Sequence, residues 1–173
     1  MPDESAIPVQ PGVYLLLLHV ARPLALEPGR LGRFVLESGW YGYVGSAWGP
    51  GGLAARVGRH LRPVGAKRLR WHIDWLTAQA PVVQVAWSVE TPRRECAWAQ
   101  ALRAVAAAIA IPGFGASDCA CATHLLRLGE PTRPLAEVMA ASAAAFASSA
   151  SGVMLHWLAE ARRPEQKDEG LSP

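Results

Sequence analysis

The chain has 173 residues, 51% of them apolar and 18% charged, with 17 Lys and Arg against 14 Asp and Glu. That apolar content excludes a disordered chain, and the length fits one globular domain or one domain with an appendage. The longest unbroken apolar runs, near Val13–Leu18 and Ala104–Ile111, fall well short of the roughly 20 residues that cross a bilayer, so no membrane attachment is expected.

The opening "MPDESAIPVQPG" carries acids and prolines in place of the basic flank and apolar core of a secretory leader, which predicts a cytoplasmic protein. The first strand candidate is Val13–Val20, rich in Val and Leu and bounded by "QPG" and "ARP". Arg33–Glu37 reads as a shorter strand and Trp40–Ala47 as a third, with Gly42 and Gly45 marking close backbone approach or a bulge. Short turns between them predict an antiparallel meander.

"GPGG" at 49–52 then breaks the chain before a helix whose apolar face is Leu53, Val57 and Leu61. Arg56 and His60 repeat the same four-residue spacing and project from a second shared face. Residues 70–79 suit a short helix packed by Trp71 and Trp75, and Val82–Val89 is strand-like. A further helix follows, with Thr91 as its N-cap, Pro92 at its first position and Glu95 in its first turns. Residues 111–128 read as a loop running into a short apolar stretch, and 133–163 as an Ala/Ser-rich helix with a polar tail beyond. The expected fold is therefore α/β (α+β), a small three-stranded, mainly antiparallel sheet flanked by helices. Residues 1–10 would be an N-terminal extension, 11–128 the functional domain and 129–173 a helical appendage.

Charge is unevenly placed. Between Leu53 and His72 stand six basic residues, Arg56, Arg59, Arg62, Lys67, Arg68 and Arg70, and no acid. Such a stripe suits a polyanion, above all a nucleic-acid backbone; its plain alternative is a solvated helix face. Trp48, beside the glycine loop, is the aromatic best placed to stack on a base. The three cysteines, Cys96, Cys119 and Cys121, are an odd number with two of them two residues apart, which fits a reducing compartment better than a disulfide framework. Cys119, Cys121 and His124 lie close in sequence and are zinc-type ligands, but a structural site needs four. The fourth would have to come from His72, Asp118 or Cys96, and the residues favour a packed turn over Asp118–Thr123 above a zinc site.

Gly12-Val13-Tyr14, then Tyr43-Val44-Gly45, then Arg56 and His60 on the following helix, resemble the GIY-YIG nuclease superfamily. "YVGSA", Arg56-Val57-Gly58-Arg59-His60, "WHIDWL" and "GFGASDCACATHL" are more narrowly similar to an uncharacterised branch of it, found alone or fused to endonuclease-III-type DNA glycosylases. The resemblance implies a nuclease domain over 11–128 that hydrolyses DNA phosphodiester bonds with Mg2+ or Mn2+, in DNA repair and beside a repair-protein partner. Tyr14, Tyr43, Arg56 and His60 would be catalytic, and Arg59, Arg62, Lys67, Arg68 and Arg70 would contact nucleic acid.

The same roles follow from the residues. Neighbouring antiparallel strands can set two phenols on one face. A guanidinium grips phosphoryl oxygens, and an imidazole one turn on can move a proton. A phenol with an ordinary pKa near 10 is a poor base, so a nearby cation or metal is expected to lower it. The metal-binding glutamate implied by the resemblance would be Glu95. Yet the family's usual offset, about five residues and thus about 140° around a helix, leads to Gln100. Asp74 and Asp118 are the substitutes. Two rival classes stand beside the nuclease: a non-catalytic nucleic-acid-binding module on the same scaffold, and a zinc-stabilised interaction protein centred on Cys119, Cys121 and His124.

Overall fold

The computed structural model describes residues 6–62, 68–89, 94–149 and 154–159. In chain order its elements are β1 (Gly12–Val20), β2 (Leu24–Leu26), β3 (Phe34–Leu36), β4 (Gly39–Ala47), α1 (Gly52–Leu61), α2 (His72–Thr77), β5 (Val82–Val89), α3 (Glu95–Val105), β6 (Ala108–Ile109), β7 (Leu125–Gly129), α4 (Leu135–Ser149) and β8 (His156–Trp157). Six strands form one antiparallel sheet in the order β6-β7-β4-β1-β5-β8, and β2 and β3 form a separate two-stranded hairpin. The class is mixed α+β.

The expected three-stranded sheet is thus overturned. The Arg33–Glu37 segment does give a strand, but it pairs with Leu24–Leu26 and not with the main sheet. β1 lies between β4 and β5, and β4 between β1 and β7. The reason is visible in the burial of β1 and β4, which are nine residues long and buried along nearly all of that length. Unbroken apolar runs of this kind arise when helices cover both faces of a sheet, and such strands sit in its centre. β6 and β8 are two-residue edge strands with no periodicity to read. The helix expected over 133–163 is shorter as well: α4 is described over Leu135–Ser149, and His156–Trp157 is a strand that joins the sheet beside β5. Thr91, Pro92, Lys67 and the polar tail from 160 onward lie outside the described residues.

Side chains of β1 alternate between two cores. Tyr14, Leu16 and Leu18 pack with Leu53, Val57 and Leu61 of α1 and with Ile73 and Leu76 of α2. Val13, Leu15 and Leu17 face the other way, onto Trp98, Ala99 and Leu102 of α3, and Phe146 of α4 stacks on Trp98 at 4.3 Å. Helices therefore cover both faces of the sheet. Among the described residues, no helix is long and apolar enough to cross a membrane.

Candidate functional site

β1 and β4 pair with Tyr14 opposite Gly45 and Leu16 opposite Tyr43, so the two tyrosines are diagonal neighbours on one face. Their ring centroids are 6.5 Å apart. Gly45 is required by this arrangement, because a Cβ there would lie 2.4 Å from the hydroxyl and ring of Tyr14. Gly115 plays the same part for Tyr43: it adopts φ +70°, and a Cβ would meet the Tyr43 ring at 2.8 Å.

The apolar stripe of α1 fixes that helix against β1, and this delivers its other face to Tyr14. His60 is buried, and its Nε2 lies 2.9 Å from the Tyr14 hydroxyl. His60 Nδ1 stands 4.0 Å from Oδ1 of Asp74, a fully buried carboxylate on α2. Asp74 Oδ2 accepts hydrogen bonds from Arg59 Nη2 at 2.6 Å, the Arg70 backbone N–H at 2.8 Å and the Trp71 backbone N–H at 2.9 Å. Those bonds fix the start of α2 and with it the Trp71 ring. The guanidinium carbons of Arg56, Arg59 and Arg70 lie 4.2, 4.5 and 5.7 Å from the Trp71 centroid, so one indole orients three cations.

Tyr14, Tyr43, Arg56, His60 and Glu95 all line one cavity of about 340 Å³. Arg70, His72, Asp118 and His124 complete its polar wall. Glu95 is the first residue of α3, and its Oε2 is buried with no hydrogen-bond partner among the described residues. Gln100, at the alternative offset, is exposed. His72 Nδ1 accepts the Gly115 N–H at 3.1 Å, and burial lowers its pKa. Of the basic stripe, Arg62, Arg68 and Arg70 are exposed, whereas Arg59 is turned inward onto Asp74. Trp48 is half-buried.

Electrostatics departs from the sequence expectation at the phenols. Burial raises the pKa of Tyr14 well above the ordinary 10.0, Tyr43 adds to the rise, and the opposing pull of Arg56 is smaller. Burial likewise lifts Tyr43 against Arg56. Desolvation of a phenolate outweighs one neighbouring guanidinium, so at neutral pH both groups are neutral phenols.

Behind Glu95 lies a second cluster. Cys96, Cys119, Cys121 and His124 place their ligand atoms within 4.8 Å of one another, a Cys3His donor set able to hold a metal ion such as zinc. All three cysteines are free thiols. Burial, with the two neighbouring thiols, pushes Cys96 up to about 12; burial also raises Cys121, against a lowering hydrogen bond from Cys96. His124 is held by an Nδ1 contact to the Val44 carbonyl at 3.2 Å, while its Nε2 lies 3.4 Å from Cys119 Sγ. The loop carrying these residues is braced internally, by Gly113 N–H to Ala122 O at 2.7 Å and Thr123 Oγ1 to Ile111 O at 2.7 Å.

Sequence reasoning passed over Trp71 as a core aromatic. The arginines crowding both of its flanks were the available signal. It also treated Asp74 as a substitute metal ligand, whereas three donors already hold its Oδ2 and it does not line the cavity.

The family described as domain of unknown function DUF123 matches residues 13–147, and the chain belongs to that family. No curated protein and no solved structure matches it.

Proposed function

We propose that this DUF123 chain is a metal-dependent endonuclease of the GIY-YIG type, hydrolysing DNA phosphodiester bonds in DNA repair. The observation that carries the reading is the convergence of Tyr14, Tyr43, Arg56, His60 and Glu95 on one polar cavity.

Hydrolysis requires removal of a proton from the attacking water and neutralisation of charge on the phosphoryl oxygens. Arg56, held over Trp71, presents the planar fork that grips two phosphoryl oxygens. Because both phenols are protonated at neutral pH, Tyr14 acts as a relay and not as a preformed phenolate. Its oxygen takes the water proton while its own proton passes to His60 Nε2, 2.9 Å away; the water oxygen bonds phosphorus, the opposite P–O ester bond breaks, and the leaving oxygen takes a proton from solvent. The imidazolium so formed faces the Asp74 carboxylate, 4.0 Å from Nδ1. Tyr43 donates its O–H to a phosphoryl oxygen across the cavity.

Glu95 fits a hard divalent cation, since its buried Oε2 has no hydrogen-bond partner among the described residues and the cavity is open to substrate oxygens. Mg2+ or Mn2+ held there would add positive charge where the transition state gathers negative charge. The exposed Arg62, Arg68 and Arg70 suit flanking phosphates of the duplex.

The test is an incision assay on plain, nicked and branched duplex DNA with Mg2+ or Mn2+. Metal-dependent nicking that Arg56→Ala lowers by about 10²–10³-fold is the expected result. No incision of any of these substrates with either metal would overturn the reading. Salt-sensitive binding alone would then make the chain a nucleic-acid-binding module.

A further inference from the structure

We infer that Cys96, Cys119, Cys121 and His124 hold one structural zinc ion, which ties the first turn of α3 to the 113–124 loop. The zinc site itself stands apart from the nuclease reading; only its consequence for Glu95 rests on that reading.

The donor chemistry comes first. Three sulfurs and one imidazole nitrogen form a soft set that selects zinc over the hard cations suited to a carboxylate. Geometry agrees with it. With Zn–S near 2.3 Å and Zn–N near 2.0–2.1 Å, the edges of a tetrahedron are about 3.5–3.8 Å. Cys119 Sγ and His124 Nε2 are 3.4 Å apart, and all four ligand atoms fall within 4.8 Å. Ligation needs these edges to change by no more than about 1.3 Å.

The surroundings also orient the imidazole. Val44 O accepts from His124 Nδ1–H at 3.2 Å, and the Val44 N–H donates back to the His124 carbonyl at 3.0 Å. This fixes the tautomer with the Nε2 lone pair toward the sulfurs, as metal-bound histidines require. Four protein donors complete a tetrahedron and leave no coordination position for water or substrate, so the ion is structural and not catalytic.

Topology gives the ion its purpose. Cys119, Cys121 and His124 come from the loop and the approach to β7, whereas Cys96 comes from α3, 23 residues before Cys119. The sequence alone offered three donors from one loop and no certain fourth; the fold supplies it. Cys96 immediately follows Glu95, so an ion binding Cys96 also fixes where that carboxylate stands on the cavity wall.

Elemental analysis of the full chain, purified without chelator, tests this directly. One zinc per chain is expected, released by a mercurial thiol reagent and reported by a chromophoric chelator. Cys96→Ser and Cys121→Ser should each lower retained zinc about tenfold or more. Should those variants fail to fold, Co2+ exchange into the parent chain reads the same site, through the intense thiolate-to-cobalt absorption of a tetrahedral sulfur site. Zinc near zero together with no such absorption overturns the proposal. So does zinc that is retained in full by folded Cys96→Ser and Cys121→Ser. Neither measurement involves DNA, so failure here and failure of the nuclease reading are told apart.

Discussion

The phenol cavity and the cysteine cluster share a wall, yet they are assembled differently. Tyr14, Tyr43, Arg56 and His60 hang from β1, β4 and α1, where strand register and a four-residue helical spacing fix their relative positions. Cys119, Cys121 and His124 sit in and just beyond a loop, and their fourth partner arrives on a helix from the opposite face of the sheet. Regular elements can hold proton-transferring groups in register through packing alone. A loop braced by a few backbone bonds gains most from an added cross-link. Chemistry thus falls to the first region and its support to the second.

The largest effect is expected at the cation over Trp71. Arg56→Ala should lower incision by about 10²–10³-fold, the cost of losing one preorganised donor to transition-state charge. Arg56→Lys should recover little, since an ammonium cannot offer two parallel N–H donors. Because Arg56 is only half-buried, circular dichroism and Tm should stay at parental values. A folded Arg56→Ala chain that cuts DNA at the parental rate would remove this group from the chemistry.

Asp74→Asn should come next, with kcat down about a hundredfold, within the span of general acid–base contributions. DNA affinity should hardly move, because Asp74 lies outside the cavity lining and acts through His60. A loss confined to Kd would reassign Asp74 to holding Arg59 and Trp71 only. Cys121→Ser probes the other region. If the zinc site positions Glu95, this variant should need about tenfold more Mg2+ for half-maximal incision, with activity recovered at high Mg2+. Zinc lost with the Mg2+ requirement unchanged would separate the cluster from the carboxylate.

The same contrast explains what the sequence disclosed. Tyr14, Tyr43, Arg56 and His60 were legible because glycine-flanked strand motifs and an i, i+4 pair carry fixed geometry. Cys96 was legible only as one of several fourth donors, since spacing across 23 residues specifies nothing until the chain folds. Glu95 and Gln100 could not be ranked by offset, and only the fold shows Glu95 on the cavity and Gln100 exposed. The sheet was undercounted for a related reason. Apolar runs in β1 and β4 announce burial on two faces but not the number of neighbours, and two-residue strands carry no pattern. Nor does a stripe of arginines reveal that one of them, Arg59, is engaged by a buried carboxylate. Phenol acidity was the deepest miss, because desolvation depends on what packs around the ring.

That miss yields the smallest predicted effect and its sign. The chain has three tyrosines, Tyr14, Tyr41 and Tyr43, and burial raises the pKa of each above the ordinary 10.0. Between that value and the folded one, the folded state binds more protons than the unfolded state, so stability falls as pH rises. The tyrosine contribution is fully present below pH 10, begins to fade there, and is lost as pH climbs through the folded values. Urea midpoints should therefore decline from about pH 10 upward. Tyr14→Phe removes one ionisable group and keeps the ring that fills the space over Gly45. Its stability should consequently fall less steeply over the same alkaline range, whatever its midpoint at neutral pH. An identical alkaline slope in parent and variant would mean that Tyr14 ionises as readily folded as unfolded.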